Sequence, residues 1–447
     1  MRPLIISSGG AFAKVIKEHE QLKKMSRCVF LDTSKADLDG FSSIDKNGKK
    51  SGYIIMNEDL DNELLSKYGI PIGIRKTNDD GYKGSPGMHR EKEVFVLAFA
   101  LDGKNIDGNK IDISSKIWGQ IRDCDLDKNA DCIIFLAGLA GGTGSGSINS
   151  LINNYYENVD TQRSKHAVMG ILPSNKEIDK GETPERIRLN ALWALYELMV
   201  GHPAGRKSPI ILLDNQAMMI DGNPKPIEPV GNVLSMFNDW RPDRDGGDMF
   251  SGRGSIMVPY YASIKKDYLN EINEIDIDNM LINLQISNVE ANTNSNSGRW
   301  YLTVNQDDIT KVSGGQLLTK GIPNELRYYL KNNILNHLNI ADGKLTMQES
   351  LLNVPGKAEF LLLLTVNNGF ELSRIKGLYS DVHNIEDAWL RRTIKESIPN
   401  KASSDVVIEF ISKMKATINE AIEATSYPKK YQIVFTGNGF EVAGQDT

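Results

Sequence analysis

The chain has 447 residues, of which 40% are hydrophobic and 25% charged, with a formal net charge of −6. That length allows two or three domains with substantial cores, and the composition is ordinary for a soluble globular protein. The acidic balance and the lack of any Lys/Arg run disfavour a general nucleic-acid-binding surface. Three cysteines, Cys28, Cys124 and Cys132, form no Cys-x-x-Cys pair and point to a reducing compartment. No run approaches the ~20 apolar residues of a membrane span, so a cytoplasmic protein without membrane insertion is expected.

In chain order, Leu4-Ile5-Ile6 reads as a strand, Ser7-Ser8-Gly9-Gly10 as a turn, and a helical pattern starts at Phe12. Strand, glycine turn, helix presents backbone N–H groups and a positive helix end to an anion. A second strand, Cys28–Leu31, ends in Asp32-Thr33-Ser34; a plain strand-to-turn junction accounts for it equally well. Residues 76–87, with Gly81, Gly84, Ser85, Pro86 and Gly87, are a long polar loop.

The most informative stretch is 131–149. An apolar run, Cys132–Leu136, breaks into Gly141, Gly142, Thr143, Gly144, Ser145, Gly146 and Ser147, and a helical pattern resumes at Ile148, Leu151, Ile152 and Tyr155. Glycines let a backbone turn sharply and approach phosphate oxygens, and the three hydroxyls add donors. A flexible linker is the bland alternative, but a linker is rarely framed by a buried strand and a helix. The loop lacks the Lys of GxxxxGK[ST] and completes no G-x-G-x-x-G.

Ala167–Leu172 is a further strand, and Glu182–Met199 a helix with Pro184 near its start. Glu182 and Arg186 stand four apart there, an intrahelical ion pair by default. Pro209–Met218 reads as a strand leading into a helix, with Asn215 as its cap. Asp221–Pro226 interrupts, and helical pattern returns over Val230–Trp240. Asp243, Asp245 and Asp248 then crowd into six residues, which as a bare pattern is a solvated turn or a weak cation site. Beyond the polar loop 287–299, mixed strands (299–304, 359–366, 431–436) and helices (323–338, 373–386, 405–425) suit an α/β accessory domain. The six His are scattered, so no protein-held metal is expected.

Gly141-Gly142-Thr143-Gly144-Ser145-Gly146 after a strand resembles the signature loop of the tubulin/FtsZ superfamily, with Ala140 where a further glycine is usual. Asp214-Asn215-Gln216-Ala217 resembles the family's Asp-Asn-Glu-Ala at the head of its central helix. Asp32-Thr33-Ser34 is similar to its Asn-Thr-Asp loop, and Gly81-x-x-Gly84-Ser85-Pro86 to its Gly-x-Gly-Gly-Asn-Pro loop. Asp243, Asp245 and Asp248 match the FtsZ pattern Asn-x-Asp-x-x-Asp, Asp243 replacing the Asn. The resemblance spans roughly residues 4–250 by motif.

It implies an α/β fold with a Rossmann-like GTP-binding domain on a parallel sheet (1–214), an interrupted central helix (215–241) and a C-terminal α/β activation and polymerisation domain (242–447). It further implies GTP/GDP and Mg2+ as cofactors. Ser8, Gly9, Gly10, Ala11, Asp32, Gly84, Ser85, Gly138, Ala140, Gly141, Gly142, Thr143, Gly144 and Ser145 would surround the phosphates. Glu182 (or its rival Glu185) and Arg186 would hold ribose and phosphate, and Asn215 would read guanine with donor and acceptor. Asp245, Asp248 and Asp243 would complete hydrolysis in the next subunit of a head-to-tail homopolymer. The implied role is segregation of plasmid or phage DNA through an adaptor, with cell division or shape as the alternative. Nothing after Thr436 looks like the linker and adaptor peptide of a division FtsZ. From other classes, a filament that hydrolyses poorly and a doubly wound dinucleotide enzyme remain alternatives.

Overall fold

The computed structural model describes residues 3–19, 28–32, 53–55, 105–106, 109–110, 118–119, 130, 132–158, 165–180, 184–200, 209–239, 255–265, 272–284, 298–349, 357–366, 368–380, 431–435 and 440–444. Their spine is one mixed sheet. Its parallel part comprises β1 (Pro3–Ser8), β2 (Cys28–Asp32), β3 (Tyr53–Ile55), β4 (Cys132–Gly138), β5 (Lys165–Leu172) and β6 (Ile210–Asp214), followed by β7 (Ile256–Lys265), β8 (Val312–Lys320), β9 (Leu345–Glu349) and β10 (Lys357–Val366). Spatial order is β9-β8-β10-β7-β6-β5-β4-β1-β2-β3, with the short strand Arg299–Trp300 also on β7. From β3 to β7 every neighbour pair is parallel. β10 then runs antiparallel to both β7 and β8, and β9 is parallel to β8.

Burial on both faces explains why β1, β4 and β6 read as continuous apolar runs rather than alternating ones. Alternate residues still divide between two cores. Leu4, Ile6, Ile133 and Phe135 pack with Ile148, Leu151, Ile152 and Tyr155 of α2 (Gly142–Asn158) and with Ile187, Ala191 and Leu195 of α4 (Pro184–Val200). Ile5, Ile134, Leu136 and Leu213 pack on the opposite face with Phe12 and Ile16 of α1 (Gly10–Glu18) and Val230, Val233 and Phe237 of α5 (Ile227–Asp239). Between α1 and α5 the fit is close: a Cβ at Gly231 would lie 2.0 Å from the His19 ring. Helices on both faces of a largely parallel sheet make the doubly wound α/β arrangement that the sequence predicts.

Three local expectations are corrected. Residues 215–218, anticipated as the head of a helix, form turns that lead into a hairpin, Met219–Ile220 against Asn223–Pro224. Asp221 (φ 51°) and Gly222 (φ 69°) occupy its tip in the left-handed region, the conformation of a two-residue Asp-Gly hairpin turn. Turn chemistry and Pro224 and Pro226 prevail over helix propensity, and helix returns only with α5. The second correction concerns the glycine stretch. Only 139–141 are turn or bend; α2 already begins at Gly142, so Thr143 to Ser147 lie in its first turns. The strand expected over 299–304 is limited to Arg299–Trp300. The loop 76–87, most of the polar loop 287–299, the acidic run 243–248 and the helix 405–425 lie outside the described residues.

Candidate functional site

Parallel strands β1, β4, β5 and β6 end on one edge of the sheet, and a pocket of about 370 Å³ opens there. One wall comes from the β1–α1 junction (Ser8, Gly9, Gly10, Ala11) and Asp32 at the end of β2. A second is the β4–α2 junction (Gly138, Ala140, Gly141, Gly142, Thr143, Gly144). The far side consists of Ile171, Pro173, Glu177, Ile187 and Asn215. Carboxyl ends of parallel strands are where open α/β sheets place ligands.

The two junctions interlock through glycine. Gly9 has φ 81°, and a Cβ on it would lie 3.1 Å from the Gly144 nitrogen. A Cβ on Gly144 would come within 2.9 Å of the carbonyl oxygens of both Gly138 and Ser8. Gly144 is therefore required less for a turn than for seating the first turn of α2 against the ends of β1 and β4. The starts of α1 and α2 thereby both reach the pocket. Neither carries an acid in its first turn, and Gly9, the N-cap of α1, makes no side-chain cap. By contrast, the first turns of α5 and of the helices 274–281, 306–309 and 324–338 hold Glu228, Glu274, Asp276, Asp307, Asp308 and Glu325. Two uncompensated positive helix ends aimed at one glycine-walled pocket suit an anion such as phosphate.

Not every hydroxyl of the stretch serves the pocket. The Ser145 hydroxyl donates to the Gly141 carbonyl and the Ser147 hydroxyl to the Thr143 carbonyl at 2.7 Å. Both are the i−4 back-bonds open to Ser inside a helix. The Ser8 and Ser147 hydroxyls lie 2.5 Å apart. Ser145 does not line the pocket, whereas Thr143 does. The role expected of Ser145 as a ligand donor is thus redirected, because its hydroxyl is turned back onto the Gly141 carbonyl instead.

The far wall is held by paired strand ends. Leu172 of β5 is in register with Asp214 of β6, and the next N–H, that of Asn215, donates to the Leu172 carbonyl at 3.0 Å. Ser174 caps the short helix α3 (Asn175–Asp179), and Glu177 closes the capping box, accepting from the Ser174 N–H at 2.6 Å. The Glu177 carboxylate also accepts from Asn215 Nδ2, 3.0 Å from each oxygen. Glu177 was missed as a site residue. Its sequence signal, Ser174-x-x-Glu177, announces only a cap; its place beside Asn215 follows from the neighbouring of β5 and β6. Behind Asn215, Asp214 is wholly buried. It receives Arg374 Nε at 2.7 Å, Arg374 Nη2 at 3.1 Å, Thr303 Oγ1 at 2.8 Å and the Gln216 N–H at 2.9 Å.

Of the expected site residues, Ser8, Gly9, Gly10, Ala11, Asp32, Gly138, Ala140, Gly141, Gly142, Thr143, Gly144 and Asn215 meet around this pocket. Gly84, Ser85, Glu182, Asp243, Asp245 and Asp248 lie outside the described residues, and Arg186 is placed only as a position in the first turns of α4. Among the described residues no group of three His, Cys, Asp or Glu side chains converges on a metal-sized point. No helix among them is long and apolar enough to cross a membrane.

These features define a doubly wound α/β protein with an anion-suited pocket at the carboxyl edge of its sheet. More particularly, the chain has the fold of the tubulin/FtsZ superfamily. The GDP-bound monomer of CetZ1 from Haloferax volcanii superposes with a TM-score of 0.56 at 15% identity, covering 86% of this chain and 98% of that one. CetZ from Methanosaeta thermophila strain DSM 6194 gives 0.53 at 12% identity over 95% and 98% of the two chains. A GTPγS-form protofilament of Bacillus thuringiensis serovar israelensis TubZ gives 0.53 at 14% identity over 88% and 93%. No protein-family model and no curated protein matches the sequence.

Proposed function

We propose that this chain is a GTP-binding and GTP-hydrolysing cytoskeletal protein that assembles head to tail into filaments. The observation that carries the reading is the pocket, where two acid-free helix starts meet over a glycine wall. Solved structures of the same fold include a GDP-bound monomer and a GTPγS-form protofilament, which agrees with it. In this reading residues 1–214 bind the nucleotide, 215–241 contain the central helix and 242–447 form the activation and polymerisation domain. The N–H groups of Gly9–Ala11 and Gly141–Gly144 receive the phosphates, with Gly84 and Ser85 reaching the γ-phosphate. Glu182 and Arg186 approach the ribose, and Asn215 reads the base.

Magnesium takes oxygen ligands, and the Thr143 hydroxyl, on the pocket wall, would hold it beside phosphate oxygens; when bound it would neutralise charge developing on the phosphates. The chain's own contribution to hydrolysis comes from the acidic loop of the next subunit. There Asp245 and Asp248, with Asp243 beside them, orient a water for in-line attack and accept its proton. A site completed only across a contact that does not close on itself ties turnover to filament growth. Such a filament in the cytoplasm suits the movement of plasmid or phage DNA through an adaptor, without direct nucleic-acid binding by this acidic chain; cell division or shape is the second role.

GTP turnover per subunit, measured with magnesium across protein concentrations, tests the reading. The specific rate should be near zero at low concentration and rise beyond a threshold that coincides with sedimentable polymer. A flat, substantial rate would refute the shared site. No turnover with GTP still bound would make the chain a structural filament.

A further inference from the structure

Resting on the guanine-nucleotide reading, we propose that Glu177 is a positioning residue. It locks the Asn215 amide so that this side chain can only accept hydrogen bonds from the base, which selects guanine against adenine. An amide left to itself offers both an NH2 and a carbonyl oxygen, and rotating it exchanges the two. Here rotation is blocked. A carboxylate only accepts, and both Glu177 oxygens stand 3.0 Å from Asn215 Nδ2; turning the amide over would set oxygen against oxygen.

The acceptor that remains, Asn215 Oδ1, is buried and has no hydrogen-bond partner among the described residues, on a residue that lines the pocket. A buried acceptor without a partner is costly, so a ligand that donates to it is favoured beyond its other contacts. Neither member of the pair is free to drift. Glu177 is tied by its capping contacts to Ser174. Asn215 is tied by its N–H to the Leu172 carbonyl, and the two segments are joined again by the Asn175 N–H on Gln216 Oε1 at 3.0 Å.

Guanine carries N1–H and the 2-amino group side by side on its pairing edge. Adenine presents a bare N1 lone pair there, which an acceptor-only wall repels, and its one donor, the 6-amino group, stands on the opposite side of N1 from guanine's 2-amino group; hypoxanthine keeps N1–H but lacks the 2-amino group. Selection by hydrogen-bonding pattern of this kind discriminates strongly, because the wrong partner leaves a buried group unpaired.

Glu177→Gln is the discriminating variant. Gln keeps an oxygen for the Ser174 N–H and is at home in a capping box, so folding should be unchanged. It places an NH2 where one carboxylate oxygen faced Asn215, and the amide can then adopt either orientation. Calorimetric titration of nucleotide-free wild type and variant with GDP, IDP and ADP should show GDP weakened about tenfold and the GDP:ADP preference reduced by a similar factor, at unchanged melting temperature. Wild-type GDP:IDP:ADP ratios in a variant that binds normally overturn the inference while leaving the nucleotide reading intact. Failure of the wild type to bind GDP, or a wild-type preference for ADP, overturns the nucleotide reading and the inference with it.

Discussion

Replacing Arg374 with Met should destabilise the protein by about 3–5 kcal/mol, the usual cost of removing one partner from a buried ion pair. Arg374 and Asp214 are 6% and 0% exposed at their side chains. The guanidinium makes two bonds to the carboxylate, a third to Asn175 Oδ1 at 3.0 Å and a fourth to the Pro173 carbonyl at 2.6 Å. Methionine retains much of the stem's volume but none of the donors. Asp214 would be left inside the protein with only Thr303 Oγ1 and the Gln216 N–H to solvate its charge, and the desolvated carboxylate, not lost packing, sets the magnitude. Urea denaturation of Arg374→Met, Asp214→Asn and the double variant provides the assay. Each single change should lower stability by several kcal/mol, and the double should cost at least 2 kcal/mol less than their sum, because it removes the orphaned charge along with the pair. Single losses below about 1 kcal/mol, or strict additivity, would show that the pair does not hold the strand end as argued.

Other consequences are open to direct test. Gly144→Ala should cost about 1–3 kcal/mol in thermal unfolding and weaken GDP binding, since both atoms its Cβ would meet at 2.9 Å are backbone carbonyls that cannot turn aside; unchanged melting and affinity would contradict the packing argument. Burial pushes the Cys28 thiol up to about 12 from 9.0. The unfolded chain therefore releases this proton first, and stability should fall as pH rises from about 9 to 12; Cys28→Ala should flatten that slope, and an identical slope in both proteins counts against it. Burial alone would raise the Glu359 carboxyl, but Lys357, the Tyr261 hydroxyl and Lys320 outweigh it and hold the group below its ordinary range. Its contribution is present above the unfolded pKa and lost as pH falls through the folded one. Glu359→Gln should therefore be less stable than wild type at pH 7, with the gap closing in acid; a gap independent of pH refutes this.

What the sequence discloses depends on how local the cause is. The run Cys132–Leu136 is legible as a buried strand because both faces of β4 are covered and each position must be apolar. The clustering of Gly9 with Gly141–Gly144 is anticipated by the repeated strand–glycine–helix order. Hydroxyl direction is not legible: Ser145 and Thr143 look equivalent in the sequence, yet only one lines the pocket, because the register of α2 turns the other toward Gly141. Asp214-Asn215-Gln216-Ala217 misleads as a helix start because the Asp221-Gly222 turn folds the chain back into a hairpin soon after Ala217, and because Asp214 is committed to Arg374, a residue 160 positions away. Glu177 is hidden for the same reason, since its partner Asn215 is 38 residues distant.

Strand β7 shows how the second half of the chain reaches the pocket without lining it. Pro259 lies inside β7, where a residue lacking an N–H interrupts a ladder. Across from it Tyr301 donates its N–H to the Pro259 carbonyl at 2.9 Å, but the reciprocal bond to the Tyr301 carbonyl has no donor on Pro259. That carbonyl instead receives the Asp214 N–H at 2.8 Å. The missing proline donor thus frees an acceptor for the last residue of β6, and Thr303, two residues further on, takes the Asp214 side chain while Arg374 closes it from a third segment. Asp214 is fixed by backbone and side chain to two parts of the second half, the segment 301–303 and Arg374, and Asn215 follows it immediately. Displacement of those parts against the parallel sheet therefore has to pull on Asn215, which lines the pocket.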